Sequence, residues 1–379
     1  MESMKSHWTS VDDPHTAATF HVLELFHLLS FKLKVSAYDF YHTLKRRTDN
    51  TGLSKPRDRY DEFLHMIREW RNLKILKCTG RTHDPNGSES TKLGECTLLC
   101  PACPQPGKNL PNDFQMESPS RSWLYTQFVA IDTNFQLKRK NVSSDTVGPS
   151  LSQGWSYFVE QGAYKAHLSL HSVEAQEKST CSGHSTVNLA DTKTSHGLAA
   201  TGVGTVDCSH HNMKLPNAVW DVQKGEKYIN MDYLFFSAIE NTSLTTLFVT
   251  YDIACQWRRT NGEAPEHGWA NINPVASSTK EMGPGSRRDT LDDFFGDWNW
   301  KKVIGMGNAI LKKMQEAVMQ KGEHEMVLQE LEAALPANKV NEWTREVEAW
   351  ESDRNETNTY ERKHEGGVHF VALVIGSNA

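Results

Sequence analysis

Apolar side chains recur at helical spacing in the first quarter of the chain. One series, which begins at Leu23, predicts a helix over residues 16–48. A second series runs from Tyr60 to Leu73 and predicts a helix over residues 56–77. We interpret the second apolar stripe as a face that packs in a core.

Shorter apolar runs in the middle of the chain predict strands, and two of these runs end in an aspartate. The two runs are Phe128–Asp132 and Leu247–Asp252, with Trp155–Val159 as a shorter strand between them. Helical spacing then returns over residues 286–335 and again over residues 340–353. Central strands flanked by helical regions indicate an α/β fold.

The composition is typical of a soluble globular protein of two or three domains. Of the 379 residues, 38% are hydrophobic and 23% are charged, and the net charge is -6. This charge argues against a uniformly basic surface, although Lys45–Arg47 and Lys138–Lys140 are local basic patches or, more simply, solvated loops. No apolar run approaches the roughly 20 residues of a membrane span. The polar N-terminus has no signal-peptide core, so we expect no membrane partner.

Cysteine and histidine occur together at metal-ligand spacing. The chain has seven cysteines, and an odd number mixed with histidines favours metal binding in a reducing compartment over disulfides. Two Cys-x2-His pairs are present, Cys181 with His184 and Cys208 with His211. Four sulfur and nitrogen donors are what a closed structural zinc site requires. We therefore predict that these four residues bind zinc, with His210 as an alternative to His211.

A second group of cysteines lies upstream, in a stretch rich in Gly, Pro and Ser. Cys96, Cys100 and Cys103 form a knuckle, and Cys78 precedes it. Four thiolates are able to bind zinc, but the first spacing is loose. Buried free thiols in an irregular loop are the alternative, and the sequence leaves both interpretations open.

Carboxylates at predicted strand ends indicate phosphoryl-transfer chemistry. Asp132 and Asp252 each close an apolar strand, and carboxylates at neighbouring strand ends hold divalent ions for such reactions. A third carboxylate normally completes the site. Glu263 and Glu266 are the candidates, because Pro265 suits the first turn of a helix. Either glutamate also fits a simpler role, compensation of the helix dipole.

In these residues the chain resembles the KDZ transposases, a family associated with CxC-type cysteine clusters. The resemblance extends over most of residues 14–335, as short motifs in a fixed order. These motifs are Thr16–Phe20, Ser36–Tyr41, Arg68–Arg71, Cys100–Pro104, Asp132–Phe135, Cys208–His211, Lys224–Tyr228, Asn230–Tyr233, Tyr251–Trp257, Gly262–Trp269 and Arg288–Leu291.

The resemblance implies an RNase H-like catalytic core of the DDE type, with a mixed sheet and a zinc-binding insertion. Such a core cuts DNA at transposon ends and joins it to a target with magnesium or manganese. By motif, Asp132 is the first acid and Asp252 the second; Glu266, in its Glu-x-Gly-Trp segment, is the third, with Glu263 in reserve. DNA is then the expected partner, a homo-oligomer is one possibility, and the expected location is the nucleus.

Three departures from the family pattern matter, and one of them is that His210 and His267 occupy positions where we expect arginine in the family. The chain begins without the cysteine-cluster domain often found upstream in relatives. Only 13 residues, 253–265, separate Asp252 from Glu266, whereas such cores place another strand before the helix with the last acid. At about 3.3 Å per residue this stretch can cross a site, but it is too short for a strand, a turn and a helix start as well. We therefore expect a transposase-derived protein whose catalysis is impaired or lost.

The predicted organisation has four parts, and three hypotheses for function stay open. The parts are an N-terminal helical region at 1–77, a cysteine-containing connector at 78–122, the core at 123–300 with a zinc-type insertion at about 179–216, and a C-terminal helical region and tail at 301–379. The ordered acidic motifs favour a DDE recombinase. The short gap and the intact metal spacing favour a noncatalytic, zinc-dependent DNA-binding or interaction protein. A decayed gene product without function is the third hypothesis.

Overall fold

The computed structural model of the protein divides into two compact units, Met1–Ile304 and Gly305–Ala379. The residues described are 6–8, 16–54, 57–117, 119–171, 197–223, 228–240, 242, 244, 247–251 and 264–352. Among the helices formed by these residues, none is both long and apolar enough to cross a membrane.

Strands and helices alternate along the described chain, so the predicted α/β class is confirmed. The strands are β1 (Ser6–Trp8), β2 (Ala17–Thr19), β3 (Gln127–Asn134), β4 (Arg139–Lys140), β5 (Leu198–Ala200), β6 (Gly202–Cys208), β7 (Met213–Val222) and β8 (Leu247–Tyr251). The helices are α1 (Phe20–Leu33), α2 (Ala37–Thr48), α3 (Tyr60–Cys78), α4 (Gln161–Leu170), α5 (Tyr228–Ile239), α6 (Ala264–Ile272), α7 (Ala276–Thr279), α8 (Pro284–Ala334) and α9 (Ala337–Ser352).

The N-terminal region consists of three helices instead of the predicted two. The chain leaves α1 at Lys34, which adopts a left-handed backbone with φ 56°. Ser36 then caps α2 by accepting a hydrogen bond from the Asp39 main-chain N–H. The prediction of one helix over residues 16–48 is therefore wrong, because apolar spacing continues across a break that capping decides. The core of this region contains Leu23, Phe26, Phe40, Phe63, Met66 and Ile67.

The central sheet has the strand order β7-β6-β3-β8. β3 pairs antiparallel with β6 and parallel with β8, and β6 pairs antiparallel with β7, so the sheet is mixed. Tight packing across the sheet requires Gly204 on β6, because an added Cβ would lie 1.9 Å from the ring of fully buried Trp220.

Strands β6 and β7 fall partly in the segment that the sequence assigned to a zinc-type insertion at about 179–216. All seven residues of β6 are buried, yet its sequence Gly202-Val-Gly-Thr-Val206 has little apolar surface to reveal a strand. The part of the insertion that the structure describes therefore includes two strands of the central sheet.

Residues 155–159, predicted as a strand, form no strand in the described structure. Phe158 makes an isolated bridge to Val219, while the main-chain N–H groups of Tyr157 and Phe158 both donate to the Asp292 carboxylate, at 3.1 and 3.0 Å. A buried carboxylate thus accepts two of the segment's N–H groups, while the Val159 N–H donates to the Val219 carbonyl on β7 at 3.0 Å. The predicted helices at 286–335 and 340–353 are confirmed by α8 and α9.

Buried charges on α8 attach the N-terminal helices to the core. Asp293 contacts His27 Nε2 at 2.8 Å and Arg71 Nε at 3.4 Å. Asp289 accepts from Arg68 Nε at 2.7 Å. Since these carboxylates are about 5% exposed, removal of a partner would leave a buried charge uncompensated.

Candidate functional site

Four potential metal ligands from two distant parts of the chain meet in one cluster, here called the metal centre. It consists of Cys100, Cys103, Cys208 and His211, whose ligand atoms all lie within 4.8 Å of one another. The three cysteines are buried and His211 is partly buried. The connector thus contributes one pair of ligands, and the end of β6 with its following turn contributes the other.

The shortest separations in the metal centre join both pairs. The Cys103 and Cys208 sulfur atoms lie 3.0 Å apart. His211 Nδ1 lies 3.3 Å from the Cys100 sulfur and 3.4 Å from the Cys208 sulfur, and 3.9 Å from that of Cys103. One nitrogen therefore faces three sulfur atoms.

Side-chain amides hold the connector half of the metal centre. Asn109 Nδ2 donates to the Cys103 carbonyl at 2.8 Å and to the Pro101 carbonyl at 3.1 Å. Gln105 Nε2 donates to the Cys100 carbonyl at 2.7 Å. These bonds use the carbonyl groups of an irregular loop, which would otherwise have no regular partners, and they fix the cysteine backbone.

The other half of the metal centre is a turn between β6 and β7. The Asn212 N–H donates to the Cys208 carbonyl at 2.8 Å, and Asn212 adopts φ 54°, a conformation that asparagine tolerates well. From α8, Trp298 Nε1 donates to the Asn212 carbonyl at 2.6 Å. Asn299 Nδ2 donates at 2.9 Å to the carbonyls of both Leu98 and Lys214. Helix α8 therefore links the connector to β7 beside the metal centre.

The thiols of the metal centre share their protons unequally. Hydrogen bonds with Cys103 and Cys208 lower the pKa of the Cys100 thiol. The hydrogen bond with Cys100 raises the pKa of Cys103, and it raises that of Cys208 to about 12. A thiol whose pKa is raised keeps its proton at neutral pH when no cation is bound. A divalent metal would displace those protons and bind all three sulfur atoms as thiolates.

The donor set fits zinc. Three sulfurs and one imidazole nitrogen form a Cys3His set, one of the usual structural zinc combinations. Zinc–sulfur bonds of about 2.3 Å place tetrahedral ligands about 3.8 Å apart, within the range of separations between these atoms. Cys100, Cys103, Cys208 and His211 would hold the ion, and its charge would fasten the connector to the sheet.

This set differs from the predicted quartet. Cys208 and His211 are members of the metal centre, whereas Cys181 and His184 lie outside the described residues, and their role stays a prediction. His210, the suggested alternative ligand, instead stacks on Phe128 with ring centroids 4.3 Å apart.

The upstream cysteine group is divided by the fold. Cys100 and Cys103 join the metal centre, but Cys78 is exposed and Cys96 is buried, with its sulfur 3.4 Å from the Thr79 hydroxyl. The two-residue spacing of Cys100-x2-Cys103 is the same kind of signal as Cys208-x2-His211. Each pair was recognisable from the sequence, whereas the combination of one pair with the other depends on the fold.

A second group of side chains, here called the acidic edge, lies farther along β3 and consists of Asp132 and Glu266. β3 extends two residues beyond Asp132, so this residue lies near the strand end instead of closing the strand. Asp132 is opposite Thr205 on β6, whereas Cys208 is opposite Val129. Asp132 is therefore three residue pairs away from Cys208 along the β3–β6 ladder.

Asp132 is partly buried and already hydrogen-bonded. Trp269 Nε1 donates to one carboxylate oxygen, and the Thr133 main-chain N–H donates to the other at 2.7 Å. Burial raises the pKa of Asp132, while these two donors and the positive charge of Lys214 oppose the rise. The negative charge of Glu266 raises the pKa of Asp132 further. A cation at this position would relieve both the burial cost and the repulsion.

Glu266 is exposed and lies in the first turn of α6, as the sequence predicted. Helix α6 packs against β3 and β6, and Asn134 at the end of β3 donates to the Asn273 side chain at 2.6 Å. Asp252 and Glu263 lie outside the described residues. The structure thus places Glu266 where its charge raises the pKa of Asp132, and the other two acids lie outside the described residues.

Two buried charges beside the acidic edge were not singled out from the sequence. Lys214 and Asp207, on β7 and β6, form an ion pair of 2.5 Å with side-chain exposures of 1% and 0%. Neither belongs to a recognisable spacing motif. Each of the two is a charged residue within a strand whose neighbouring residues are mostly apolar or small. This contrast can be recognised only when the strands are known.

Comparison with known protein families gives two matches. The family model described as Kyakuja-Dileera-Zisupton transposase (KDZ) matches residues 125–261 and 258–299. The model described as CxC2 like cysteine cluster associated with KDZ transposases matches residues 3–52. No curated protein and no solved structure matches the chain.

The second match corrects one expectation. The prediction that the chain begins without a cysteine-cluster region is wrong, because residues 3–52 match such a model. However, the first cysteine of the chain is Cys78, so the matched region contains no cysteine and offers no thiolate ligand. The two matches lie one after the other along the chain, with the cysteine-cluster model first. The chain thus contains a region that matches the KDZ transposases, at residues 125–299, and an earlier region that matches their associated cysteine-cluster model, at residues 3–52.

Proposed function

We propose that this protein is a transposase-derived DNA-binding protein with an RNase H-like core of the DDE type, whose metal-dependent DNA cleavage is impaired. The acids would be Asp132, Asp252 and Glu266, around magnesium or manganese. The metal centre would hold zinc in a structural role. The observation that carries the proposal is that Asp132, near the end of β3, lies beside helix α6, whose Glu266 raises the pKa of Asp132 through its negative charge.

The sheet order supports an RNase H-like core. Three antiparallel strands, β3, β6 and β7, are followed along the chain by β8, which pairs parallel with β3 on its other side. The first acid is on β3, which has neighbours on both sides. Such an arrangement places the ends of two parallel strands at one edge, where side chains from both can share a ligand.

The register supports the choice of acids. Ile131 on β3 pairs with Tyr251 on β8, and the next residues in the sequence are Asp132 and Asp252. Helix α6 adds Glu266 from its first turn. When bound, divalent ions would activate an attacking oxygen and stabilise the leaving oxygen of a phosphodiester. The role of the protein is to hold the carboxylates and, through Trp269, to orient Asp132.

The short connection supports impaired catalysis. The 12 residues 252–263 leave little room for another strand between β8 and α6, and β8 is the last strand of the described sheet. The two segments matched by the transposase model meet within this same connection, at residues 258–261. A sheet with fewer strands positions the last acid less firmly, whereas DNA binding does not require all three acids.

DNA binding would use local basic surface, since the net charge is negative. Arg139 and Lys140 are engaged by Asp221 and Glu281, which leaves less charge for DNA at that patch. Arg46 and Arg47, in the last turn of α2, are exposed and are better placed to contact phosphate groups. Their simpler role is to compensate the helix dipole. We further propose a nuclear location for such a DNA-binding protein.

Plasmid nicking and DNA binding separate the two parts of the proposal. With Mn²⁺ or Mg²⁺ we expect little nicking of supercoiled plasmid by the full chain, and Asp132→Asn should change it little. Binding to the same DNA should persist in both proteins and weaken as salt rises. Strong nicking that is lost in Asp132→Asn and Asp252→Asn would overturn impairment and favour an active recombinase. Absence of salt-sensitive DNA binding would overturn the DNA-binding role.

A further inference from the structure

Lys214 is a lysine in the interior of the central sheet, with an exposure of 2%. Its ammonium nitrogen lies 2.5 Å from Asp207 Oδ2 and 3.2 Å from Thr205 Oγ1. Lysine is almost never fully buried without a partner. A buried ion pair is also weak evidence for a purely stabilising role, because an apolar pair of similar volume is often as stable. The location of this pair therefore calls for a further reason.

The strand register places the ion pair beside the acidic edge. Lys214 is opposite Asp207, Asp207 is opposite Ala130, and Thr205 is opposite Asp132. Paired residues share one face of a sheet, and so do residues two apart on a strand. Asp132, Thr205, Asp207 and Lys214 therefore lie on the same face, which is the face that carries the first proposed metal ligand.

Helix α6 covers this face and packs against the Lys214 side chain. The Lys214 ammonium nitrogen lies 4.4 Å from the centroid of the Trp269 ring and 5.6 Å from that of Phe295. At Gly268, an added Cβ would lie 3.2 Å from the same nitrogen. Glycine at this position gives the helix room to approach the ammonium group, so that Trp269 lies against the charge.

Trp269 also forms a hydrogen bond to Asp132. The Trp269 indole N–H donates to Asp132 Oδ2, so one aromatic ring touches the ammonium group with its face and the carboxylate with its edge. A cation is attracted to the face of an indole ring and the attraction depends on the ring's orientation. A lysine held on one side by Asp207 therefore restricts the direction in which the indole N–H points.

We propose that Lys214, held in place by Asp207, is a positioning residue that fixes Trp269, so that the indole N–H orients the Asp132 carboxylate for a divalent cation. The inference rests on the proposed function, because it takes Asp132 as a metal ligand. It adds a series of contacts, from Asp207 through Lys214 and Trp269 to Asp132, that orients the Asp132 carboxylate.

The test compares three variants of the full chain, with two readouts. Lys214→Met removes the charge but keeps the length of the side chain, Lys214→Arg keeps the charge, and Lys74→Met is a matched control. Lys74 also pairs with a carboxylate and lies over a tryptophan ring, with its nitrogen 5.5 Å from the Trp70 centroid, but it belongs to the N-terminal helices. The readouts are the Trp269 indole N–H signal in ¹H–¹⁵N spectra, assigned with Trp269→Phe, and the affinity for Mn²⁺.

We expect Lys214→Met to shift the Trp269 indole signal and to weaken Mn²⁺ binding by about tenfold, the usual effect of removing a group that orients a ligand. Lys214→Arg should keep the indole signal near its wild-type position and retain most of the Mn²⁺ affinity. Lys74→Met should change neither the indole signal nor the Mn²⁺ affinity. If Lys214→Met lowers only the melting temperature and leaves the indole signal and Mn²⁺ affinity unchanged, the ion pair is merely structural and the inference is overturned.

Two further outcomes keep the inference separate from folding and from the proposed function. If Lys214→Met does not fold, Gly268→Ala, which pushes α6 away from the ammonium group, should give a smaller change of the same kind; an unchanged indole signal there would count against the inference. If wild-type protein binds no Mn²⁺ in a manner sensitive to Asp132→Asn, the proposed function fails. In that case the indole signal still shows whether Lys214 positions Trp269.

Discussion

The metal centre and the acidic edge share strands β3 and β6 but differ in how their ligands are held. In the metal centre, four donors contact one another, and three of them are buried. At the acidic edge, Asp132 is held by Trp269 and Thr133, and Glu266 is exposed. The first arrangement is closed by its own ligands, whereas the second is held by donors other than the two acids and includes an exposed acid.

This difference distinguishes a structural site from a reactive one. A structural metal site is closed when four protein ligands fill the coordination shell. A site for phosphoryl transfer must leave room for water and substrate around its ions. If the fold was inherited from an active transposase, loss of a segment near the acidic edge would impair chemistry while the metal centre continues to fasten the connector. The predictions below test whether the two regions are this independent.

Removal of a cysteine from the metal centre is expected to have the largest effect. In Cys100→Ser or Cys103→Ser, zinc content should fall from about one ion per chain to none. Because zinc binding contributes directly to folding, the free energy of unfolding should fall by roughly 4 kcal/mol or more. Metal analysis of the purified protein and thermal unfolding measure the two quantities.

Two controls show which cysteines form the site. Cys78→Ser, at an exposed cysteine, should leave zinc content and stability unchanged. Cys181→Ser tests the quartet that the sequence favoured. If it removes zinc while Cys100→Ser does not, then Cys181 is the ligand and the observed set of four is not the site.

The next largest effect concerns Asp292, a buried carboxylate of the scaffold that serves as a comparison for Asp132. Burial raises the pKa of Asp292 from 3.8 to about 7. Between about pH 4 and 7 the folded protein therefore keeps a proton that the unfolded chain releases, so stability should fall as pH rises through this window and level off above it. The two pKa values set an upper limit of about 4 kcal/mol on the change.

Asp292→Asn is the matched variant, because an amide imitates the protonated acid. Asp292 Oδ1 accepts from the Tyr157 and Phe158 N–H groups, and its Oδ2 accepts from the Ser152 hydroxyl. An asparagine oxygen can accept the same two bonds, and its NH2 group can donate to Ser152. The variant should lose the decline in stability between about pH 4 and 7, measured by urea unfolding, and should retain its Mn²⁺ affinity. A decline as steep as that of the wild type would show that Asp292 is ionised throughout.

The acids of the acidic edge should matter for divalent cations and not for zinc. Asp132→Asn should weaken Mn²⁺ binding by about tenfold or more, which corresponds to about 1.4 kcal/mol. Glu266→Gln should have a smaller effect, because an exposed carboxylate is better solvated when no ion is bound. Calorimetric titration measures the affinity, and zinc content should stay constant in both. A loss of zinc in Asp132→Asn would show that the two regions are coupled.

The sequence predicted individual helices and motifs better than the tertiary contacts between them. A helix over α3, the long helix α8 and the place of Glu266 in a first turn follow from apolar spacing and from Pro265, which are local signals. The break at Lys34 was missed because one left-handed residue leaves no trace in apolar periodicity. Strand β6 was missed because its glycines hide a fully buried strand.

The candidate site shows the same division. Each half of the metal centre has a spacing that is readable in the sequence, but Cys100 and Cys208 are more than 100 residues apart and meet only because β6 ends beside the connector. Lys214 and Asp207 belong to no sequence motif. That they form an ion pair follows only from the register between β6 and β7. Pairings across the sheet follow from the packing of the whole fold, which no single stretch of sequence encodes.

The last prediction tests how far the metal centre depends on its surroundings. Asn109→Ala removes the amide that donates to the Cys103 and Pro101 carbonyls, while all four ligands stay in place. Loss of such a supporting hydrogen bond typically weakens metal binding by about tenfold, and competition with a zinc-sensitive dye measures it. Asn86→Ala, at an exposed position of the same connector, is the control and should bind zinc like the wild type. If Asn109→Ala also weakened Mn²⁺ binding, the connector would influence the acidic edge, and the two regions would not be independent.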